Sequence, residues 1–388
     1  MLIALVLSLA VPAQAWNDHR LLTQAATAEL DFLDGKGKAE TLAEYLQATG
    51  FAGGEKAFLV SLKLNQNAAF PFSAGETAGQ PISLRAVLEK YSDEPDWTMD
   101  MDLFSQYPEL WKDEYRYMGG GAGYLSRVFR HLYWPNGFYR EPLPPDTMPR
   151  HDPTVLGEAP ERAQLYFDLS KKAFQEGHPY WGARFLGWAL HYLEDATQPF
   201  HAVQLPALEF IVEKPDGTPD LERSTKLVIY HHLSIDNYPT RAIEGRLGDA
   251  SAARVKTQLG GTQAAAFTGA RELTAASAEA AAKQAGRLGK RGLEFFPEMT
   301  PADEQDILAR VFSDRYWEDV KAAQAADPAA AEAFLAMLDK ALAPAGAAAR
   351  AFILSALEFH PGFLKVKSPL PEDPSWVEKR VEEFEKPN

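Results

Sequence analysis

Tyr180-Trp-Gly-Ala-Arg-Phe-Leu-Gly-Trp-Ala-Leu-His191-Tyr-Leu-Glu-Asp195-Ala-Thr-Gln-Pro-Phe-His201 is the stretch on which the reading of this chain turns. Phe185, Leu186, Ala189, Leu190 and Leu193 recur at helical spacing, so 180–196 is predicted to be a helix. On that helix His191 and Asp195 lie one turn apart and project from one face. Pro199 forces the chain out of helix, and the break can return His201 toward the same region. A single histidine is more often a hydrogen-bonded core residue than a ligand. Two imidazoles and a carboxylate in this order instead describe a metal site built on a rigid scaffold.

A second pair follows in His232-Leu-Ser-Ile-Asp236. The preceding Leu227-Val-Ile-Tyr230 reads as helix or as strand, and residues four apart share a face in either. His231 competes with His232, but only His232 has a carboxylate four residues on. Glu194 adjoins Asp195 and is rotated around the helix, so it is expected to point elsewhere. His151, His178 and His360 sit beside Pro or Gly and fit no ligand pattern.

Helical spacing recurs over 21–33, 39–49, 84–91, 161–175 and much of 252–293, with few hairpin signals and no short repeat. An all-α fold is expected. Connectors rich in Pro or Gly run over 70–81, 119–123, 142–153 and 206–219. Near Asp249 the composition shifts to Ala, which favours helix but offers little bulk for packing. The expected organisation is a leader over 1–15, a metal-binding core over 16–248, an Ala-rich helical extension packed on it over 249–366, and a tail over 367–388.

The 388 residues include no cysteine, so any metal must be held by nitrogen and oxygen. A formal charge of −15 repels polyanions at long range and argues against gripping duplex nucleic acid through the overall field. The apolar run Leu2-Ile-Ala-Leu-Val-Leu-Ser-Leu-Ala10, closed by Ala13-Gln-Ala15, reads as a secretory signal peptide, giving a secreted or periplasmic protein that begins at Trp16.

An N-terminal Trp followed closely by His, then H-x-x-x-D-x-x-x-x-x-H with Gln-Pro before its last His, then H-x-x-x-[DE], is similar to the ligand order of the superfamily that joins zinc-dependent phospholipase C to the fungal zinc nucleases. The resemblance covers chiefly 16–236. It adds a histidine among aromatics, matched by Arg130-His131-Leu-Tyr133-Trp134, and an upstream aspartate. Asp113 in Trp111-Lys-Asp113-Glu-Tyr-Arg116 fits that context, with Asp96 in Glu94-Pro-Asp96-Trp97 as its rival, farther from His131.

The resemblance implies three zinc ions: one on Asp113, His131, His191 and Asp195; one on Trp16, through its free amine and carbonyl, with His19 and Asp195; one on His201, His232 and Asp236. Asp195 would bridge two ions, and Asp113 would double as the catalytic group that orients the attacking water. The chemistry implied is phosphodiester hydrolysis. Trp111 and Tyr133 are candidates for the substrate pocket wall. The net charge favours a phospholipid substrate met in transient contact with a membrane surface. A single-strand nuclease or 3'-nucleotidase, and a non-catalytic zinc-binding secreted protein, are the alternatives. Oligomeric state is not legible.

Overall fold

The computed structural model describes residues 18–107, 123–139, 151–152, 155–261 and 263–360. Of the described residues, 66% are helix and 4% strand, an all-α fold. Fourteen α-helices occur among the described residues: α1 (His19–Thr27), α2 (Leu42–Ala48), α3 (Gly54–Ser61), α4 (Leu84–Tyr91), α5 (Leu103–Gln106), α6 (Gly123–His131), α7 (Ala159–Gln175), α8 (Pro179–Thr197), α9 (Leu221–Ile243), α10 (Asp249–Leu259), α11 (Ala270–Phe295), α12 (Ile307–Val311), α13 (Asp314–Ala326) and α14 (Pro328–Leu357). Among the described residues, three two-stranded antiparallel ribbons, of two or three residues per strand, pin connectors between helices.

Helix α8 is the axis of the fold. Pro179 opens it at a position where a missing N–H costs nothing, and every residue from Tyr180 to Thr197 is buried. A helix apolar all round must be surrounded. Its cover comes from α7 and α4, from α1, and from the far end of the chain, α11 and α14. The Ala-rich segment therefore does more than lie beside a finished core. Ala278, Ala281, Ala349, Phe352 and Ile353 belong to the same apolar cluster as Trp181, Phe185 and Trp188.

A second cluster gathers around α9, with Tyr230, Leu233, Tyr238, Phe295, Trp317 and Phe334. The two clusters are joined by α1, whose Ala26 belongs to the first and Leu22 and Ala25 to the second. The segment 227–230, open between strand and helix in the sequence, lies inside α9, so His232 and Asp236 share a helical face.

Helix α14 is long and apolar enough to cross a membrane by composition, but 67% of its most apolar window is buried inside the fold, as befits a core helix. Small residues let it approach α10. A Cβ built at Gly346 would stand 2.1 Å from the Leu259 carbonyl oxygen, and that oxygen also accepts a hydrogen bond from buried Arg350. Gly346→Ala is therefore expected to lower stability by about 1–3 kcal/mol through overpacking, read as a reduced urea midpoint, and Ala345→Gly by less than about 1 kcal/mol.

Candidate metal centre

The site lies where the two clusters meet, and each part is placed by an identifiable local device. Helix α8 carries His191 and Asp195 in the predicted i, i+4 pairing, both fully buried. It ends at Gln198, whose extended backbone precedes Pro199 and whose side-chain oxygen accepts from the Phe200 and His201 amides. The resulting single turn, Pro199–His201, swings His201 back under α8. The amide of the same Gln198 donates to Asp236 on α9, so one side chain couples the helix break to the second ligand pair.

Asp96 arrives from a turn after α4. That turn is anchored by Glu94, which accepts from Arg184 Nε and from Trp188 Nε1, each at 2.8 Å, in a buried ion pair on α8. The Ser92 carbonyl just before it accepts from His191 Nδ1 at 2.7 Å. Arg127 Nη2 holds Asp96 Oδ1 at 2.5 Å. Asp96 thus stands 3.6 Å from His131 Nδ1 and 3.6 Å from His191 Nε2. Its separation from His131 in sequence is bridged by the fold.

Partner chemistry assigns the ring tautomers. His191 must donate from Nδ1, because Ser92 offers a carbonyl. His131 Nε2 lies 3.2 Å from Asp100 Oδ2, and His201 Nδ1 lies 3.0 Å from the His131 carbonyl. His19 Nδ1 lies 2.7 Å from Glu194 Oε2. In every case the outer nitrogen faces an acceptor, so the inner nitrogen of the neutral ring carries a lone pair.

Those lone pairs converge. His131 Nδ1 and His191 Nε2 are 3.0 Å apart, and they lie 2.9 Å and 3.4 Å from Asp195 Oδ2. His19 Nε2 is 3.5 Å from Asp195 Oδ1. His232 Nε2 is 3.0 Å from Asp236 Oδ2.

Among the described residues, six of these inward atoms are buried with no hydrogen-bond partner: His19 Nε2, both oxygens of Asp195, His201 Nε2, His232 Nε2 and Asp236 Oδ2. Buried polar atoms are almost always satisfied, and leaving one bare costs about 1–3 kcal/mol. Cations held in separate groups among them would satisfy these atoms, so the residues fit a metal. Three groups have ligand atoms mutually close enough to hold one: His19, Asp96 and His191; His131, His191 and Asp195; His201, His232 and Asp236.

The electrostatics agree. Burial would raise Asp195, yet the surrounding imidazoles of His191, His131 and His19 hold its carboxyl well below the usual range. Burial would lower His131, but Asp195 and Asp100 push it up to about 9. His201 falls to about 3 through burial and the neighbouring His232. The carboxylates call for positive charge, which a proton on His131 meets in the protein alone and a divalent ion would meet better. Metal binding at such a site displaces protons.

Measured against the sequence reading, His19, His131, His191, Asp195, His201, His232 and Asp236 all come together. Trp16, Trp111 and Asp113 lie outside the described residues. Of the two candidates for the upstream aspartate, Asp96 is described, and it stands 3.6 Å from His131 Nδ1. His231 is buried instead among Phe210, Tyr230 and Phe296, and burial lowers it to about 3. Tyr133 is half-buried against the first apolar cluster, its amide donating to the His201 carbonyl at 3.1 Å, so it braces the site through its backbone. Of the remaining histidines, His178 Nδ1 lies 3.0 Å from Glu40 Oε2, and the His360 ring packs edge-on against Phe174.

Three residues at the site were given no role there by the sequence reading. Asp100 is fully buried and contacts Arg130, His131 and the Tyr192 hydroxyl. Glu194 backs the ring of His19. Trp97, next to Asp96, is 47% exposed. Only the last had a legible signal, an aromatic adjoining a candidate ligand.

The chain matches no family model, and a search of curated proteins found none that matches it.

Proposed function

We propose that this chain is a zinc-dependent phosphodiesterase holding three ions and hydrolysing the head-group phosphodiester of a phospholipid. The observation that carries the reading is the set of six bare, buried ligand atoms, supplied by His and Asp from three helices and a helix break, in a sequence pattern that resembles the zinc-dependent phospholipase C superfamily. His131, His191, Asp195 and Asp96 would hold one ion. His19 and Asp195, with the backbone of Trp16, would hold a second. His201, His232 and Asp236 would hold the third. Zinc in such a site acts as a Lewis acid toward phosphoryl oxygens and makes water a nucleophile near neutral pH.

The chain's own residues supply the rest. Asp96 is the least enclosed of the clustered aspartates, its side chain 9% exposed against 0% for Asp195 and Asp100. Its carboxylate would accept the proton of the attacking water, with Arg127 bonded to it. Asp113, expected in this role from the sequence, lies outside the described residues, and Asp96, its rival there, is proposed for the role instead. Trp97 offers an aromatic face beside it, suited to a quaternary ammonium head group. The same face suits a nucleic-acid base, which keeps single-strand nuclease activity as the second reading.

The deciding experiment pairs elemental analysis with a substrate panel. Purified protein beginning at Trp16 is expected to carry three zinc ions per chain and to hydrolyse a chromogenic phosphocholine ester in a chelator-sensitive way. Turnover of single-stranded nucleic acid instead selects the second reading, and three bound ions without turnover of either indicates a binding protein. His191→Ala and His201→Ala are each expected to abolish hydrolysis while far-ultraviolet circular dichroism stays near that of the parent.

A further inference from the structure

One acidic side chain at the centre has no part in the ligand sets or the hydrolysis proposed above. Glu194 precedes Asp195 on α8, so the two carboxylates leave the helix about 100° apart. Asp195 faces the converging imidazoles. Glu194 reaches behind His19, where its Oε2 lies 2.7 Å from Nδ1 while Oε1 accepts from Thr23 Oγ1 at 3.1 Å. The His19 ring is thus spanned by two consecutive residues of one helix, with Glu194 on Nδ1 and Asp195 3.5 Å from Nε2.

The surroundings of Glu194 are dry. It is 3% exposed and borders a cavity of about 10 Å³ lined by Leu22, Ala26, Leu342, Ala345 and Ala349, with room for no more than one water. A carboxylate in such a place is retained at a cost unless its charge is used. The imidazole it touches, that of His19, is one whose far nitrogen is bare.

We infer that Glu194 is a positioning residue for the ion held by His19: it fixes the ring as the Nδ1–H tautomer, aims Nε2 at the space shared with Asp195, and adds negative charge behind the ligand. This rests on the reading of the cluster as a metal centre. Outer carboxylates of this kind raise the basicity of a ligating imidazole, and their loss typically costs 10–100-fold in metal affinity.

The test uses the full protein starting at Trp16 and two variants, Glu194→Gln and Glu194→Ala. Gln keeps an acceptor for the His19 N–H and removes the charge, whereas Ala removes both. Zinc affinity by competition with a chromophoric chelator, zinc per chain, and the visible spectrum of the cobalt(II) form are measured beside the melting temperature. The expected result is graded weakening of one ion, about 10-fold or more for Gln and more for Ala, with the other two ions unchanged and an altered cobalt band in the Gln variant.

Wild-type affinity at all three ions in Glu194→Gln overturns the inference and leaves the metal centre standing. Equal weakening of all three also overturns it, since that is the signature of general loosening. A parent protein that binds no metal overturns both. Should Glu194→Ala fail to fold, the isosteric Gln variant decides alone.

Discussion

Asp195→Asn is expected to release about two of the three metals and to reduce hydrolysis by more than the 10–100-fold that changes behind a ligand cost. The reason is how its two oxygens are divided. Oδ1 faces His19, while Oδ2 faces His131 and His191. The amide isostere keeps one acceptor and turns an NH2 group toward the other set, so it cannot serve both sides. Asp236 faces one group only, and Asp236→Asn is expected to release a single ion. Equal metal loss in the two variants, measured by elemental analysis after gel filtration, would remove the bridging role.

Complete metal removal is expected to have the largest effect on stability. A ligand that binds only the native state stabilises it by about 4 kcal/mol at a thousandfold excess over its Kd. Three such ions, in a chain of this size, correspond to a melting temperature on the order of 10 °C higher in the loaded form. The direction follows from six buried atoms that lack partners without the metal. Calorimetry before and after dialysis against a chelator checks it, with zinc restoring the higher transition. An unchanged transition would mean that the cluster is satisfied by protons alone.

Much of this was legible because periodicity encodes which side chains share a face. The pairs His191 with Asp195 and His232 with Asp236 needed only 3.6 residues per turn, and Gln198-Pro199 announced the break that returns His201. The choice of His232 over His231 followed from the same count. Asp96 was harder: its distance from His131 in sequence told against it, and what overcomes that distance is a buried ion pair from Glu94 to Arg184, a tertiary fact. Asp100 was hidden, and Glu194 was read as turned away from Asp195 but given no role, for a related reason, since a carboxylate behind a ligand has no spacing rule. The Ala-rich segment was read as helix, but its share in the core of α8 depended on Gly and Ala positions whose meaning appears only when α14 lies against α10 and α1.

That sharing of α8 sets an order of events during synthesis. The helix bearing His191 and Asp195 emerges mid-chain, buried on every side in the fold, yet part of its cover is α14, the last of the described helices to be made. Contacts so distant along the chain form slowly, and uncovered apolar helices invite association with other chains in the interval. Closure of α14 thus completes a cover that α7, α4, α1 and α11 begin, and a chain interrupted before Leu357 would carry His191, Asp195 and the residues around them with part of that cover missing.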